Sequence, residues 1–393
     1  MSREISNQIS TFARENEDYE VVVKEYMNYS EDELSDDKDL YYQLNLDIIS
    51  GNIPDIMIFN SDMPIEHYIS KGILSDLTPF FQNEDELVLD NYMANIFSCF
   101  NSELGLYVIP SEFYLTGYVC SKELVPDINI NLSEIETIKN SKQIQNRHMF
   151  GLNTREQILI NYLAHNCRKL IDYDNCTCLL NSKEFIEMMC FIKQFPVKFD
   201  NNDIAIENYY DMWRKHQAMF LNYSIGSFQD YAVAEQVYFG EGIRILGFPG
   251  SEQKEPSIAT DFLFAISNNS ECKDVAWNFV SRFLKPEYQN SLRNTFPVAK
   301  ESLYRLCDNS QGTDIEGNTF YYGAENEQIL IGLGKEVALE LVHLIERLDN
   351  RVVWNRDVFQ IVIDEATYFF AGERDIETVI ANMENRLSIY LNE

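Results

Sequence analysis

Hydrophobic and polar residues follow one another near the start of the chain in a pattern that predicts a helix, a tight turn and a buried strand. Leu40, Leu44 and Ile48 recur at the spacing of one helix face, and Gly51 follows where a left-handed cap ends a helix. The next apolar run, residues 56–59, is hydrophobic at consecutive positions. Such a run is typical of a strand buried on both faces of a parallel sheet.

A short polar stretch follows that strand and precedes the next helical pattern. Asn60 and Asp62 carry side chains that can cap a helix, and the helix that follows them is expected to end at Gly72. In open parallel sheets, ligands bind beyond the carboxyl ends of the strands. Residues 59–62 are therefore the first candidate for a binding site, with Phe59 as an aromatic ring and Asp62 as a carboxylate.

The rest of the chain continues this α/β pattern. Helical periodicity predicts helices at residues 134–142, 154–167 and 182–194 and through about the last ninety residues. Alternation predicts strands at residues 19–23 and 218–221, and Tyr223 is expected just beyond the second of them. The acidic stretch 29–39 lacks apolar periodicity, and residues 176–181 lie between periodic segments, so both are expected to be loops.

Length and charge narrow the class of protein. With 393 residues the chain is long enough for two domains of about 100 to 200 residues each. No apolar run approaches the roughly 20 residues of a membrane-spanning helix. Lys and Arg total 31 against 63 Asp and Glu, a net charge of -32 that phosphate backbones would repel. We therefore expect no nucleic-acid partner, and we interpret the acidic surface as solubilising.

The cysteines do not have the spacing of a metal site. Four of the eight lie between Cys167 and Cys190, but they lack the paired C-x2-C ligands of structural zinc sites. We expect thiols that pack as small apolar groups and no bound metal. A single disulfide in the loop around Cys176 is left open as an alternative.

Signatures of common catalytic sites are missing from the sequence. It contains no G-x-x-x-x-G-K-[ST] loop, no G-x-G-x-x-G after a strand, no G-x-S-x-G elbow and no H-E-x-x-H. The histidines are scattered, so we expect neither a catalytic base nor a cofactor. Carboxylates are abundant, however, and a glycosidase needs only two of them about 5 to 9 Å apart. A carbohydrate hydrolase is therefore kept as an alternative.

Seven stretches of the chain stand in the order and spacing of a known family. They are GNIPDIMIF, PIEHYISKGILSDLTPFF, LYVIPSEFYLTGYVCSKEL, GFPG, AWNFVSRFLKPEYQNSL, FPVAKESL and EATYFFAGERDIETVIANMENRLSIYL. Together they resemble the extracellular solute-binding proteins, family 1, of bacterial ABC importers, the maltose-binding-protein-like group that carries sugars and oligosaccharides. The resemblance covers about three quarters of the chain.

This resemblance implies a two-lobed, type II periplasmic-binding-protein-like α/β fold. Each lobe would be a mainly parallel sheet flanked by helices, with the ligand cleft between the lobes. Residues 1–110 with 259–298 would form lobe one, and residues 111–258 with 299–393 would form lobe two. The chain would cross between them near residues 109–113, 249–260 and 296–302. Relatives also place a strand and a ligand-contacting loop before the first helix, so one wall of the site is expected to be incomplete.

The resemblance also implies which residues bind the ligand. Sugar rings present apolar faces and polar rims, so aromatic platforms combined with carboxylate and amide groups suit them. The side chains expected at the cleft on this basis are Phe59, Asn60, Asp62, Tyr114, Tyr223 and Trp354. Each of them could equally pack in the core or at the surface.

The implied function is capture of a carbohydrate between closing lobes and its delivery to an ABC permease in the membrane, without catalysis. We expect a monomer that works outside the cell, anchored as a lipoprotein through a signal segment that this chain lacks. Besides the hydrolase, a ligand-sensing module for a membrane signalling partner is an alternative.

Overall fold

The computed structural model describes residues 3–26, 39–60, 65–82, 87–101, 105–173, 175–199, 209–310, 319–322 and 327–392. Its α-helices are α1 Arg3–Glu15, α2 Asp39–Ser50, α3 Ile65–Ser70, α4 Thr78–Gln82, α5 Ala94–Phe100, α6 Leu132–Lys142, α7 Arg155–Leu170, α8 Lys183–Ile192, α9 Asp211–Arg214, α10 Phe228–Val233, α11 Lys273–Val280, α12 Pro286–Gln289, α13 Lys300–Asn309, α14 Lys335–Arg347, α15 Arg356–Ala371 and α16 Ile376–Asn392. A π-helix, Ala234–Phe239, continues α10. Within the described ranges, no helix combines the length and the apolar character that crossing a membrane requires.

The strands form a small sheet, a larger sheet and two hairpins. They are β1 Ile56–Phe59, β2 Ile109–Pro110, β3 Glu112–Ser121, β4 Ile171–Asp172, β5 Thr177–Cys178, β6 Leu221–Ile225, β7 Ile243–Leu246, β8 Ser257–Ala259, β9 Leu263–Ile266, β10 Phe296–Pro297, β11 Thr319–Tyr322 and β12 Glu327–Leu330. The small sheet has the order β1-β9-β2, and in the larger sheet the long strand β3 pairs with β6, β7, β8 and β10.

The expectation of mainly parallel sheets is wrong for the strands that the structure describes. The pairings between these strands are antiparallel, including that of β1 with β9, in which Ile56 lies opposite Ile266 and Phe59 opposite Leu263. The reason is that β1 pairs with a strand from a distant part of the chain that runs back past it. Among the described residues, the one parallel bridge is the isolated bridge between Ile258 and Arg351.

The apolar run of β1 is only partly buried. Met57 and Phe59 are buried, whereas Ile58 between them is 39% exposed. The prediction of a strand covered on both faces was therefore wrong. The side chains of β1 alternate between faces, and nothing in the described structure fully covers the face on which Ile58 lies.

Helix boundaries follow the capping residues of the sequence. Helix α2 ends at Gly51, which has a φ angle of +82°, and α15 ends at Gly372 with a φ angle of +75°. Asn131 and Thr154 each form a capping box at the start of α6 and α7. These side chains satisfy backbone N–H groups that a helix start leaves without intrahelical partners. The predicted helices at residues 40–48, 134–142, 154–167 and 182–194 are confirmed.

Other local predictions were wrong. Residues 19–23 form no strand in the described structure, and Val22 is 78% exposed, because no neighbouring strand pairs with them. The expected loop at residues 176–181 begins with β5, which forms a hairpin with β4. Strand β6 begins at Leu221, so Tyr223 lies inside a strand and not beyond its end. The hairpin of β11 and β12 interrupts the helices of the last part of the chain. The acidic stretch 29–39 lies almost wholly outside the described residues.

The larger sheet separates two apolar clusters. Along β3, Leu115 and Val119 contribute to one cluster, and Tyr118 and Cys120 contribute to the other. This alternation is the expected period of two for a strand buried on both faces. The first cluster continues into the small sheet, and the second is covered by α7, α8, α15 and α16.

Candidate functional site

The two sheets are joined by strands that run from one into the other. Strand β2 leads through Ser111 directly into β3, and β8 leads through residues 260–262 into β9. The two paths run side by side, since β2 pairs with β9 and β3 pairs with β8. Strand β10 adds a third segment here, with Pro297 opposite Glu112. We call these segments, residues 109–113, 259–263 and 296–299, the junction.

Two buried polar side chains tie the three segments of the junction together. The Glu112 carboxylate accepts hydrogen bonds from the Thr260 hydroxyl and the Asp261 backbone N–H, both at 3.1 Å. Gln289 donates its side-chain amide to the Ser111 carbonyl at 2.7 Å and accepts from the Ala299 N–H at 2.9 Å. Glu112 therefore links the first segment to the second, and Gln289 links the first to the third.

The junction is electrostatically unusual because, among the described residues, no basic side chain forms an ion pair with the carboxyl groups of Glu112 and Asp261. Burial raises the pKa of Glu112 to about 7, and the nearby charge of Asp261 adds to that shift. Loss of hydration also raises the pKa of Asp261, although a hydrogen bond from the Tyr114 side chain opposes the shift. Tyr114, one of the expected ligand contacts, is thus half-buried beside an acidic group of the junction.

The residues at and beyond the end of β1 have different surroundings. Phe59 is 2% exposed, and its ring stacks on Tyr68 with centroids 5.6 Å apart and planes within 8°. Its contacts are those of a core residue. Asn60 is half-buried at the end of β1. Asp62 lies outside the described residues, so its predicted role stays a prediction.

Tyr223 belongs to an aromatic cluster that the sequence analysis missed. Its ring lies 5.6 Å from that of Tyr238, which lies 4.9 Å from Tyr210 and 5.7 Å from Trp213. Tyr209 completes the cluster, 5.1 Å from Trp213. Trp213 is buried, whereas the four tyrosines are half-buried. The group therefore combines one buried indole ring with four half-buried phenol rings.

The π-helix positions Tyr238 in this cluster. Arg214 donates from Nε to the Val237 carbonyl at 2.7 Å, and its terminal nitrogen donates to the Gln236 carbonyl. Gly240 then ends the π-helix with a φ angle of +71°. π-Helical turns are rare and frequently occur at functional sites. The only signal in the sequence was the density of tyrosines, which does not reveal that residues 209 and 238 meet.

The remaining expected contacts lie on different surfaces. Tyr223 is opposite Gly117 in the pairing of β3 with β6, so it projects to the same face as Leu115. Tyr114 is an odd number of positions from Gly117 and projects to the opposite face. Trp354 is half-buried beside Phe359, with ring centroids 6.0 Å apart, on the cluster covered by α15 and α16. The structure thus does not gather these three side chains on one surface of a sheet.

An ion pair between a buried arginine and a half-buried glutamate joins α3 to the segment before α15. Arg351 is 3% exposed and pairs with Glu66, and its guanidinium carbon lies 5.4 Å from the centroid of the Phe100 ring. Burial lowers the pKa of Arg351 to about 10. The segment carrying Arg351 is fixed to β8 by hydrogen bonds between Ile258 and both Asn350 and Val352. The pair therefore connects the first turn of α3 with the larger sheet.

Among the described residues, no group of three or more His, Cys, Asp or Glu side chains is placed to hold a metal ion. All eight cysteines are free thiols, so the alternative of a disulfide around Cys176 is not realised in this structure. Cys167 is buried and Cys190 is exposed. The absence of a bound metal stays a prediction.

Comparisons with known proteins find similarity in structure and not in sequence. No family model matches the chain, and no curated protein matches it. The sugar-binding protein MalE from Xanthomonas citri has a TM-score of 0.63 at 12% identity, over 99% of this chain and 94% of that chain. An ABC substrate-binding protein from Listeria monocytogenes in complex with cycloalternan has a TM-score of 0.58 at 15% identity, over 98% and 95%. An ABC transporter solute-binding protein from Thermotoga lettingae bound with alpha-D-tagatose has a TM-score of 0.55 at 13% identity, over 99% and 96%.

These likenesses extend over nearly the full length of each protein. At such low identities they show the fold, which is the type II periplasmic-binding-protein fold. One of these three neighbours is a sugar-binding protein, and the other two are substrate-binding or solute-binding proteins of ABC transporters, as the resemblance in the sequence predicted.

Proposed function

We propose that this protein is an extracytoplasmic solute-binding protein that captures a sugar or oligosaccharide and delivers it to an ABC permease. The observation that carries the proposal is the full-length structural similarity to proteins of this kind, two of which are described with a bound carbohydrate. The protein would be a monomer and would be held at the membrane as a lipoprotein.

The binding mechanism that we propose is closure of two lobes about the crossings near residues 109–113, 249–260 and 296–302, which overlap the junction. Lobe one comprises residues 1–110 and 259–298, and lobe two comprises residues 111–258 and 299–393. The continuous strand paths support this division, because β2 continues into β3 and β8 continues into β9 where the chain passes between the two sheets. A ligand that contacts both lobes only in the closed form would shift the population toward that form, which the permease would recognise.

As ligand contacts we propose the aromatic cluster and, on separate surfaces, Asn60, Asp62 and Tyr114. The support for the cluster is its combination of a buried ring, half-buried tyrosines and a π-helix. Trp354 is retained as a more distant contact. Phe59 is proposed to act through packing, because its ring is buried against Tyr68.

A hydrolase is the less favoured function. It requires a carboxylic acid that reaches the scissile bond of the substrate. Glu112 has the raised pKa of a general acid, but it is 2% exposed and its accepting oxygen is occupied by hydrogen bonds within the junction. A substrate could not reach it without separating the junction segments. We therefore propose binding without catalysis.

The test is a thermal-shift screen against a panel of mono- and oligosaccharides, followed by calorimetry and product analysis of each hit. The proposal predicts at least one saccharide that raises the melting temperature, binds with one-to-one stoichiometry and is recovered intact. Cleavage of the saccharide would favour the hydrolase. If a bound saccharide instead increases the affinity of the protein for a sensor kinase and not for a permease, the protein is a sensing module.

A further inference from the structure

The basic side chains beside the aromatic cluster already have partners within the protein. The rings of the cluster lie on residues 209–216, on β6 and on the π-helix, and the basic residues of these elements are Arg214, Lys215 and His216. Arg214 donates to two carbonyl groups of the π-helix. Lys215 pairs with Asp211 at 2.6 Å, and His216 lies 2.7 Å from the Glu241 carboxylate. These groups are therefore engaged before any ligand arrives.

Acidic side chains beside the cluster are less well compensated. Asp230 accepts hydrogen bonds from a backbone N–H and a hydroxyl of its own turn, and among the described residues no basic side chain forms an ion pair with it. Burial raises the pKa of Tyr223, and the charge of Asp230 adds to that shift, so this carboxylate acts directly on a ring of the cluster. Glu235 adds a carboxylate on the π-helix itself, and Lys122, the cation whose charge reaches it, pairs with Glu340 at 3.8 Å.

The sequence next to the cluster is acidic as well. Residues 200–208, directly before Tyr209, contain Asp200, Asp203 and Glu207 and no Lys, Arg or His. The whole chain has a net charge of -32. A charge distribution of this kind creates a negative potential over the surface, which disfavours the approach of anions before any contact forms.

Binding of a negatively charged sugar against the cluster would be unfavourable for two reasons. Its acidic group would leave water without a cation to replace the lost hydration. It would also come close to Asp230 and Glu235, and like charges brought together at an interface repel strongly. A neutral sugar incurs neither cost, because its hydroxyl groups can donate to phenol and carboxylate oxygens and its apolar face can pack against a ring.

We propose that the aromatic cluster selects uncharged saccharides and excludes those that carry a carboxylate, sulfate or phosphate group. This inference rests on the proposed function and narrows its ligand from carbohydrates in general to neutral ones. The selectivity comes from the arrangement of charge, in which the bases beside the rings are paired within the protein and the carboxylate of Asp230 is not.

The experiment measures affinities by calorimetry for pairs of sugars that differ in charge. Glucose, galactose, maltotriose and cellotriose are each compared with the form in which one C6 hydroxymethyl group is oxidised to a carboxylate. Any further saccharide that binds in the screen is compared with its sulfate ester. We expect at least one neutral sugar to bind and its acidic form to bind more weakly by about tenfold or more.

The outcomes separate this inference from the proposed function. If an acidic form binds as tightly as its neutral partner, or if acidic saccharides alone bind, the cluster does not exclude anions and the inference is overturned, although the proposed function stands. If no saccharide of either kind binds, both are overturned.

Two variants separate charge from shape as the cause of the selectivity. Tyr238→Arg and Tyr238→Leu both remove a ring, but only the first adds a cation. Both should weaken binding of the neutral sugar, whereas the ratio of neutral to acidic affinity should fall to about threefold or less in Tyr238→Arg alone. In the wild type, raising NaCl from about 20 mM to about 500 mM should also reduce this ratio, because salt screens the repulsion between charges. An unchanged ratio in Tyr238→Arg, or a ratio insensitive to salt if that variant does not fold, would show that shape excludes the acidic sugar and would overturn the inference.

Discussion

Arg351 forms an ion pair with Glu66 although 285 positions separate the two residues in the chain. The guanidinium is almost completely buried, whereas the Glu66 side chain is 35% exposed. Because a buried cation without its partner is costly, the pair ties α3 firmly to the segment after α14.

We expect Glu66→Gln to destabilise the protein by about 2 to 4 kcal/mol, somewhat less than a fully buried pair would because Glu66 is partly hydrated. Glu255→Gln is the matched control. It breaks the pair of Glu255 with the exposed Arg347, and should cost about 0 to 1 kcal/mol. Urea unfolding of both variants at pH 7 measures the difference, and equal costs would contradict the structural role of Arg351.

The stacking of Phe59 on Tyr68 predicts that Phe59 contributes to stability and not to ligand affinity. Phe59→Ala should lower the free energy of unfolding by about 3 to 5 kcal/mol, because it leaves a cavity in the core beside α3. Phe59→Leu, which keeps most of the volume, should cost much less. Unfolding by urea measures the free energy of unfolding of each variant. Calorimetry with a saccharide from the screen measures its ligand affinity. If Phe59→Leu instead lost much of its ligand affinity at unchanged stability, Phe59 would have to contact the ligand.

The sequence predicts local structure well where one residue type decides it. Glycine at positions 51 and 372 has positive φ angles, and Asn131 and Thr154 cap helices, as expected from their chemistry. The sequence predicts strands and their pairing poorly, because these depend on partners that lie far away in the chain. The valines at 21–23 look like a strand but pair with no strand that the structure describes, and β1 pairs with β9, which lies about two hundred residues away.

In the candidate site, too, the sequence does not predict what depends on distant parts of the chain. A conspicuous aromatic such as Phe59 is buried, whereas Tyr209, Tyr210 and Tyr238 come together only because α9 packs against the π-helix. Glu112 is one of 63 acidic residues, and nothing in the residues around it shows that three segments enclose it. Its position at the junction depends on β8 and β10, which are far from it in the chain.

The aromatic cluster predicts that Tyr238 is more important for ligand binding than for stability. Tyr238→Leu should weaken saccharide binding about tenfold, or ~1.4 kcal/mol, because it removes a ring from the proposed stacking surface. Tyr304→Leu makes the same change at an exposed tyrosine outside the cluster and should leave affinity unchanged. Calorimetry with the same saccharide compares the two variants. Equal affinities of Tyr238→Leu and the wild type would show that the aromatic cluster does not contact the saccharide.

His165 and Glu112 predict opposite dependences of stability on pH. His165 is fully buried, its Nδ1 lies 2.9 Å from the Ser257 hydroxyl, and burial lowers its pKa to about 4. Between pH 4.5 and pH 6.5 the unfolded chain therefore binds a proton at this histidine that the folded protein does not, and stability rises with pH. For Glu112, with its pKa raised to about 7, the folded protein holds the proton, and stability falls as pH rises through the same window.

Each contribution amounts to about 1.4 kcal/mol per pH unit where only one state is protonated, so the two nearly cancel in the wild type. The stability advantage of the wild type over His165→Gln should grow by about 2 to 3 kcal/mol from pH 4.5 to pH 6.5. Its advantage over Glu112→Gln should shrink by a similar amount, since the variant carries no acid to ionise. Urea unfolding at the two pH values measures both differences. Parallel pH profiles for the wild type and either variant would show that the corresponding group titrates alike in the folded and unfolded states.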